Sequence, residues 1–174
     1  MKRLLLMRHG KADWDEEKLT DFDRPLNPSG RRAGKTVAQW LIANDLVPDT
    51  VLVSSAKRTS QTWDIVQEIL PAGPKADVLQ DLYLASPGTL LAHIERIAPG
   101  TGTALVIAHN PGLETLCRLM SGPGSIKAAL ADLQLGFPTA GLAVIELNGE
   151  TWRTMSAEGG KLKHFIRPDE LDDD

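Results

Sequence analysis

Arg8, His9 and Gly10 follow directly on the apolar run Leu4-Leu5-Leu6-Met7. A guanidinium and an imidazole at the end of a buried segment must be hydrogen-bonded or put to use, because burying them unpaired is costly. Two further apolar runs end in the same way. TVLVSS, 50–55, leads into Ala56-Lys57-Arg58, and TALVIA, 103–108, leads into His109-Asn110-Pro111-Gly112. Arginine pairs bidentately with phosphate oxygens and keeps its charge at any physiological pH. A histidine, with an ordinary pKa of about 6.5, offers a neutral ring nitrogen that can attack phosphorus. Two arginines and two histidines brought together would therefore suit phosphoryl transfer. Gly10 would let the backbone approach the phosphate or adopt a positive φ.

Taken singly, each residue has an ordinary role open to it. Arg8 could pair with a carboxylate, Arg58 could lie on a helix surface, and either histidine could be satisfied in a core. Such roles give no reason for the same chemistry to recur at three run ends. Metal binding is the competing chemistry, but the four histidines show neither HxH nor HxxxH spacing and there is no CxxC. The phosphate loop GxxxxGK[ST] is absent as well. His93 in LLAHIERI and His164 in KLKHFIRP lack the context of the other two and read as ordinary, as does Cys117 on an apolar helix face.

Such residues need a scaffold that gathers strand ends. The pattern supplies one, since strand and helix signals alternate along the chain. Residues 2–8 read as a buried strand. Asn27-Pro28-Ser29-Gly30 opens a helix with Ala33, Val37, Trp40 and Leu41 at helical spacing. The strand at 50–55 precedes a helix from Thr59 to Leu70, ended by Pro71-Ala72-Gly73-Pro74. A weaker strand at 76–79 leads to a helix from Pro87 to Ile97. The strand at 103–108 leads to a helix starting near Pro111. Residues 142–148 and 151–156, split by Gly149, read as a terminal hairpin. The fold class is α/β: a three-layer α/β/α sandwich with a mostly parallel central sheet and an antiparallel edge. In such sheets, ligands bind beyond the carboxyl ends of the strands.

The bulk numbers agree with one such domain over residues 1–168, followed by an acidic tail at 169–174. The chain has 174 residues, 42% of them hydrophobic and 24% charged. A net charge of −4 argues against nucleic-acid or membrane-surface binding. One cysteine excludes an internal disulfide and suits a reducing compartment. Met1-Lys2-Arg3 precedes only a short apolar run, unlike a signal peptide. The expected location is the cytoplasm.

MRHGKADW, SSAKRTSQT and IAHNPGLE resemble the motifs of the histidine phosphatase superfamily, which includes the cofactor-dependent phosphoglycerate mutases. The shortness of the chain, with DFDRPLNPSGRRAG, LYLASPGTLL and FPTAGLAVIEL, is most similar to the SixA-type phosphohistidine phosphatases. The resemblance runs from residue 3 to residue 168. It implies that His9 is the nucleophile, that Arg8 and Arg58 clamp the phosphoryl group, and that His109 completes the pocket and stabilises the transition state. It further implies phosphate or substrate contacts from Arg24, Gly10 and Asn110. Ser55, or the amides after it, would position Arg58. No metal or organic cofactor is implied.

One departure from the family is informative. Mutases and many phosphatases of the superfamily carry an acidic residue that protonates an alcohol leaving group. Here that region reads VLQDLYLASPG, with Asp81 as the nearest candidate general acid. An alkoxide needs such help, whereas a phosphorylated imidazole with its free nitrogen protonated departs as neutral imidazole. The expected substrate is therefore phosphohistidine on a partner protein of the phosphorelay or phosphocarrier type. A phosphomonoesterase or mutase acting on a small metabolite is the alternative, and a non-catalytic phosphoprotein-binding module is a third reading.

Overall fold

The computed structural model describes residues 1–14, 20–154 and 159–171. Its frame is a six-stranded sheet built from β1 (Lys2–Arg8), β2 (Thr50–Ser54), β3 (Asp77–Leu79), β4 (Thr103–Ala108), β5 (Leu142–Leu147) and β6 (Gly160–Ile166). The order across the sheet is β3-β2-β4-β1-β5-β6. The first four of these run parallel, and β5 and β6 add the antiparallel edge.

The central strands are apolar on both faces because helices cover both. Leu4 and Leu6 of β1 join Ala104 and Val106 of β4 on one face, packed by α3 (Pro87–Glu95), α4 (Gly112–Met120) and α5 (Lys127–Gln134). Leu5, Met7, Leu105 and Ile107 face the other way, onto α1 (Pro28–Ala43) and α2 (Lys57–Ile69). Helix starts follow local chemistry. Pro28 occupies the first turn of α1 while the Asn27 side chain accepts from the Gly30 amide at 2.8 Å. Ser86 caps α3 in the same way, accepting from the Thr89 amide at 3.2 Å.

Register then gathers the residues of interest. Arg8 of β1 pairs with Ala108 of β4, and Val53 of β2 with Ile107 of β4. The carboxyl ends of β1, β4 and β2 therefore stand level. After β4 the chain turns to the face opposite from that taken after β1 and β2, which opens a crevice at the strand ends. Gly112, at the start of α4, is pressed against the loop before α3. A Cβ built there would lie 1.9 Å from the Ala85 carbonyl oxygen. Gly112→Ala is expected to destabilise the protein by at least about 2 kcal/mol, read from chemical denaturation. A loss below about 0.5 kcal/mol would show that the loop yields freely.

One sequence expectation needs correction, and two further segments add to the sequence reading. The second arm of the hairpin is β6 and not residues 151–156. TWRTMS follows the Gly149 turn signal, but Trp152 is fully buried in a short 3-10 turn, its indole N–H donating to the Thr101 carbonyl at 3.1 Å. Residues 155–158 lie outside the described residues. Helix α5 has no counterpart in the sequence reading; its eight residues, KAALADLQ, bury only Ala129 and Leu133. The acidic stretch from Asp169 enters a short helix, α6 (Pro168–Leu171), and 172–174 lie outside the described residues.

Candidate active site

Arg8 closes β1, and His9 follows it. Arg58 sits in the first turn of α2, and His109 follows β4. The structure brings all four together, with Arg24 and Asn110, around one cavity of about 340 Å³. Lys11, Trp14, Leu84 and Thr139 complete much of its wall. Arg58 and His109 are 3% and 1% exposed, so their partners define their chemistry.

His9 Nδ1 lies 2.7 Å from the Gly10 carbonyl oxygen. A carbonyl only accepts, so Nδ1 carries the proton and Nε2 keeps its lone pair. Arg58 Nε donates to that Nε2 at 3.3 Å. Arg58 Nη2 likewise donates to His109 Nδ1 at 3.3 Å, which places the proton of a neutral His109 on Nε2. That Nε2 donates to Ser54 Oγ at 2.7 Å. Both histidines thus turn an unprotonated nitrogen toward one edge of the Arg58 guanidinium. Arg8 donates from Nη1 to the Phe137 carbonyl at 2.9 Å, while its Nε is buried with no hydrogen-bond partner. An unmet buried donor costs about 1–3 kcal/mol, so this end of Arg8 carries uncompensated positive charge beside the cavity that the residue lines.

The protonation states fit that role. Burial pushes the His9 pKa down to about 4, and the charges of Arg58, Arg8 and Arg24 add to the effect against the pull of the Gly10 carbonyl. Burial likewise takes His109 down to about 3, helped by His9 and Arg58. Both rings are therefore neutral at neutral pH, as a nitrogen nucleophile must be. Each folded pKa lies below its unfolded value near ~6.5. Between that pH and about 4 the unfolded chain binds protons that the folded chain refuses, so stability falls as pH falls. NMR of the imidazole rings is expected to show both residues untitrated from pH 8 to about 5.5. A midpoint near 6.5 for either would contradict this geometry.

The remaining candidates are placed differently. Arg24 lies at the mouth, stacked 3.4 Å over the Trp14 ring and donating to the Asp13 carbonyl at 3.0 Å. Asn110 donates to the Phe137 carbonyl at 3.1 Å and accepts from the Glu114 amide, pinning the cavity wall. Gly10 makes its close approach to Gly30 and not toward the cavity: an added Cβ would meet the Gly30 oxygen at 2.9 Å. It is not among the residues of positive φ. Ser55 turns away and donates to Gln80 Oε1 at 2.8 Å, and it is Ser54 that touches His109. Asp81 is outside the cavity wall, its carboxylate 3.3 Å from His93 Nε2. Among the described residues the wall holds no carboxylate.

Asp21 is the residue that sequence reasoning missed. Its carboxylate accepts from Arg58 Nη2 at 3.1 Å and from Arg24 Nη1 at 3.0 Å. The DFDRP spacing puts Asp21 three residues before Arg24, but nothing in it reveals the reach to Arg58. Among the described residues no group of three or more His, Cys, Asp or Glu side chains could hold a metal ion. No helix among them is long and apolar enough to cross a membrane.

Known proteins share this arrangement of strands and the chain that builds it. The histidine phosphatase superfamily (branch 1) profile matches residues 4–82. Phosphohistidine phosphatase SixA of Escherichia coli is 32% identical over 111 residues, 63% of this chain and 68% of that one. A SixA crystal structure from Agrobacterium tumefaciens superposes with a TM-score of 0.81 at 29% identity, covering 96% of this chain and 98% of that one. A SixA protein histidine phosphatase complexed with tungstate gives a TM-score of 0.78 at 26% identity, covering 97% and 99% of the two chains. The chain belongs to the histidine phosphatase superfamily, on its SixA-like side.

Proposed function

We propose that this protein removes phosphoryl groups from phosphohistidine on a partner protein, through a phosphohistidine formed on His9. The observation that carries the reading is the orientation of His9: a neutral Nε2 held at the cavity by the Nδ1–Gly10 hydrogen bond, beside the Arg58 guanidinium. The E. coli relative is by name a phosphohistidine phosphatase and the tungstate-bound one a protein histidine phosphatase, and tungstate has the shape and charge of the oxyanion such a site must hold.

In the first step the His9 Nε2 lone pair bonds to phosphorus as the P–N bond of the substrate breaks. The bonding pair returns to the leaving ring, which departs as neutral imidazole when its other nitrogen is already protonated. Arg8 and Arg58 hold the phosphoryl oxygens, where charge must be stabilised without reorganisation. In the second step water attacks the phosphoryl group on His9, restoring the neutral ring and releasing inorganic phosphate. The unprotonated Nδ1 of His109 faces the same space and can orient that water by accepting a hydrogen bond, while the water protons leave with the phosphate. Asp81, the nearest candidate acid, stands outside the cavity wall with its carboxylate on His93, and this leaving group needs no acid of its own.

Asp81→Asn is accordingly expected to leave phosphohistidine turnover within about threefold of wild type. A loss as complete as that of His9→Ala would reverse the assignment and make Asp81 the acid. The function itself is tested by phosphate release from a histidine-phosphorylated carrier protein in the presence of a chelator, with wild type and His9→Ala side by side. Release by wild type alone is expected. Hydrolysis of small phosphate esters with the carrier untouched would select the metabolite reading. Tight carrier binding without release would select the binding module.

A further inference from the structure

We infer that Asp21 is a positioning residue: it grips one edge of the Arg58 guanidinium so that the other edge is presented to the transferred phosphoryl group. The inference rests on the phosphoryl-transfer reading above and adds a component of the site outside the cavity wall.

A guanidinium offers two edges, one formed by Nε and Nη2 and the other by Nη1 and Nη2, each able to make a parallel pair of hydrogen bonds. Here the two edges have different partners. The first faces His9 Nε2 and His109 Nδ1, both at 3.3 Å, where a phosphoryl group bonded to His9 must lie. The second faces Asp21 alone, with Nη1 donating to its backbone oxygen at 2.7 Å and Nη2 to its carboxylate at 3.1 Å. The contacts to the histidines are long, end on neutral acceptors and are exchangeable for an oxyanion, whereas those to Asp21 are shorter and include an ion pair. A phosphoryl group can therefore take the first edge while the second stays gripped.

The grip is itself braced. The Tyr83 hydroxyl donates to the same carboxylate oxygen as Arg58, and Arg24 Nη1 donates to the other at 3.0 Å. The Tyr83 ring stands edge-on to Phe22 at 5.0 Å and to His109 at 5.4 Å between centroids. The same contacts exclude a role for Asp21 as proton donor. Desolvation would raise its pKa, but hydrogen bonds from Tyr83, Arg24 and Arg58 prevail and hold it at about 2. It is a carboxylate at working pH.

A carboxylate in this place has two opposing effects. Its charge opposes the binding of an anion to the site, while its hold on Arg58 favours the transition state. Removing the charge should therefore separate rate from affinity, which a merely structural role would not do. The test compares Asp21→Asn in wild-type and Arg58→Ala backgrounds, with p-nitrophenyl phosphate as phosphoryl donor and inorganic phosphate as competing ligand. In the wild-type background kcat is expected to fall about 10-fold or more while phosphate binds as tightly or more tightly. In the Arg58→Ala background the same substitution should cost under about twofold. Nitrogen NMR of the Arg58 Nε–H group reads the grip without turnover. It should be distinct in wild type and merged with mobile arginines in Asp21→Asn.

An equal loss of kcat in both backgrounds would overturn the inference. So would a kcat within twofold of wild type, a joint loss of rate and phosphate affinity, or an unmoved Arg58 signal. Because p-nitrophenyl phosphate asks nothing of a protein partner, the substrate reading can fail separately. A chain that ignores the histidine-phosphorylated carrier but shows this pattern keeps the role of Asp21 and loses only the proposed substrate.

Discussion

Replacing His9 by alanine is expected to reduce phosphate release by on the order of 10⁴-fold or more, with the fold retained. The magnitude follows from removing the atom that bonds to phosphorus, since what survives loss of a covalent nucleophile is the much smaller effect of binding and charge stabilisation. Two contacts and its burial make His9 specific for this role. The Gly10 carbonyl fixes its tautomer, burial keeps it neutral, and the Ala140 amide holds its own carbonyl at 2.8 Å. His9→Asn or His9→Gln would keep polarity without a nucleophilic ring nitrogen and should be as inactive as alanine. The phosphate-release assay, run beside a thermal melt, separates lost chemistry from lost fold. A variant retaining more than about a hundredth of wild-type activity would show that water attacks the substrate directly.

Arg58→Ala carries the second-largest expected effect, a fall in kcat of about 10³-fold. Loss of one preorganised donor to a developing charge costs about 10²–10³ in rate. Arg58 would also lose its contacts to both histidines, which moves the estimate to the upper end. Arg58→Lys should recover no more than about tenfold of this, because an ammonium is a point charge and cannot replace the Nε and Nη2 pair. A further consequence gives an independent check. Burial is the main depressant of the His9 pKa, but Arg58 is the largest of the charges that add to it. Its removal should therefore raise the His9 pKa, moving the acid limb of kcat/KM to higher pH. An Arg58→Ala protein with a tenth of wild-type activity, or an unmoved acid limb, would show that the arginine is peripheral.

Much of this architecture was legible in the sequence because the central strands are uniform. Buried on both faces, β1, β2 and β4 read as unbroken apolar runs, and the residues after them had to meet at one sheet edge. Elements at the periphery were harder. The eight residues of α5 bury little, and TWRTMS follows a glycine turn signal like the second arm of a hairpin, although Trp152 is a core plug beneath Thr101. Within the site, local signals found the charged groups but not their partners. Ser54 and Ser55 are chemically identical, and only the end of β2 beside His109 decides between them. Asp21 meets Arg58 across 37 positions of sequence, a contact that no local spacing encodes. Gly10 was expected to face a phosphate or take a positive φ, but its close neighbour is Gly30 of α1 and its φ is not positive.

The central claim is the covalent step on His9, and rapid quenching tests it most directly. Wild-type protein is mixed with an excess of a histidine-phosphorylated carrier, stopped in base within the first turnover, and digested for mass spectrometry. Phosphohistidine survives base and is lost in acid, so a phosphoryl group on the His9 peptide that disappears on acidification is the expected result. Its formation and decay should match the rate of phosphate release. Full release of phosphate with His9 never modified, or a phosphoryl group trapped on another residue, would contradict it.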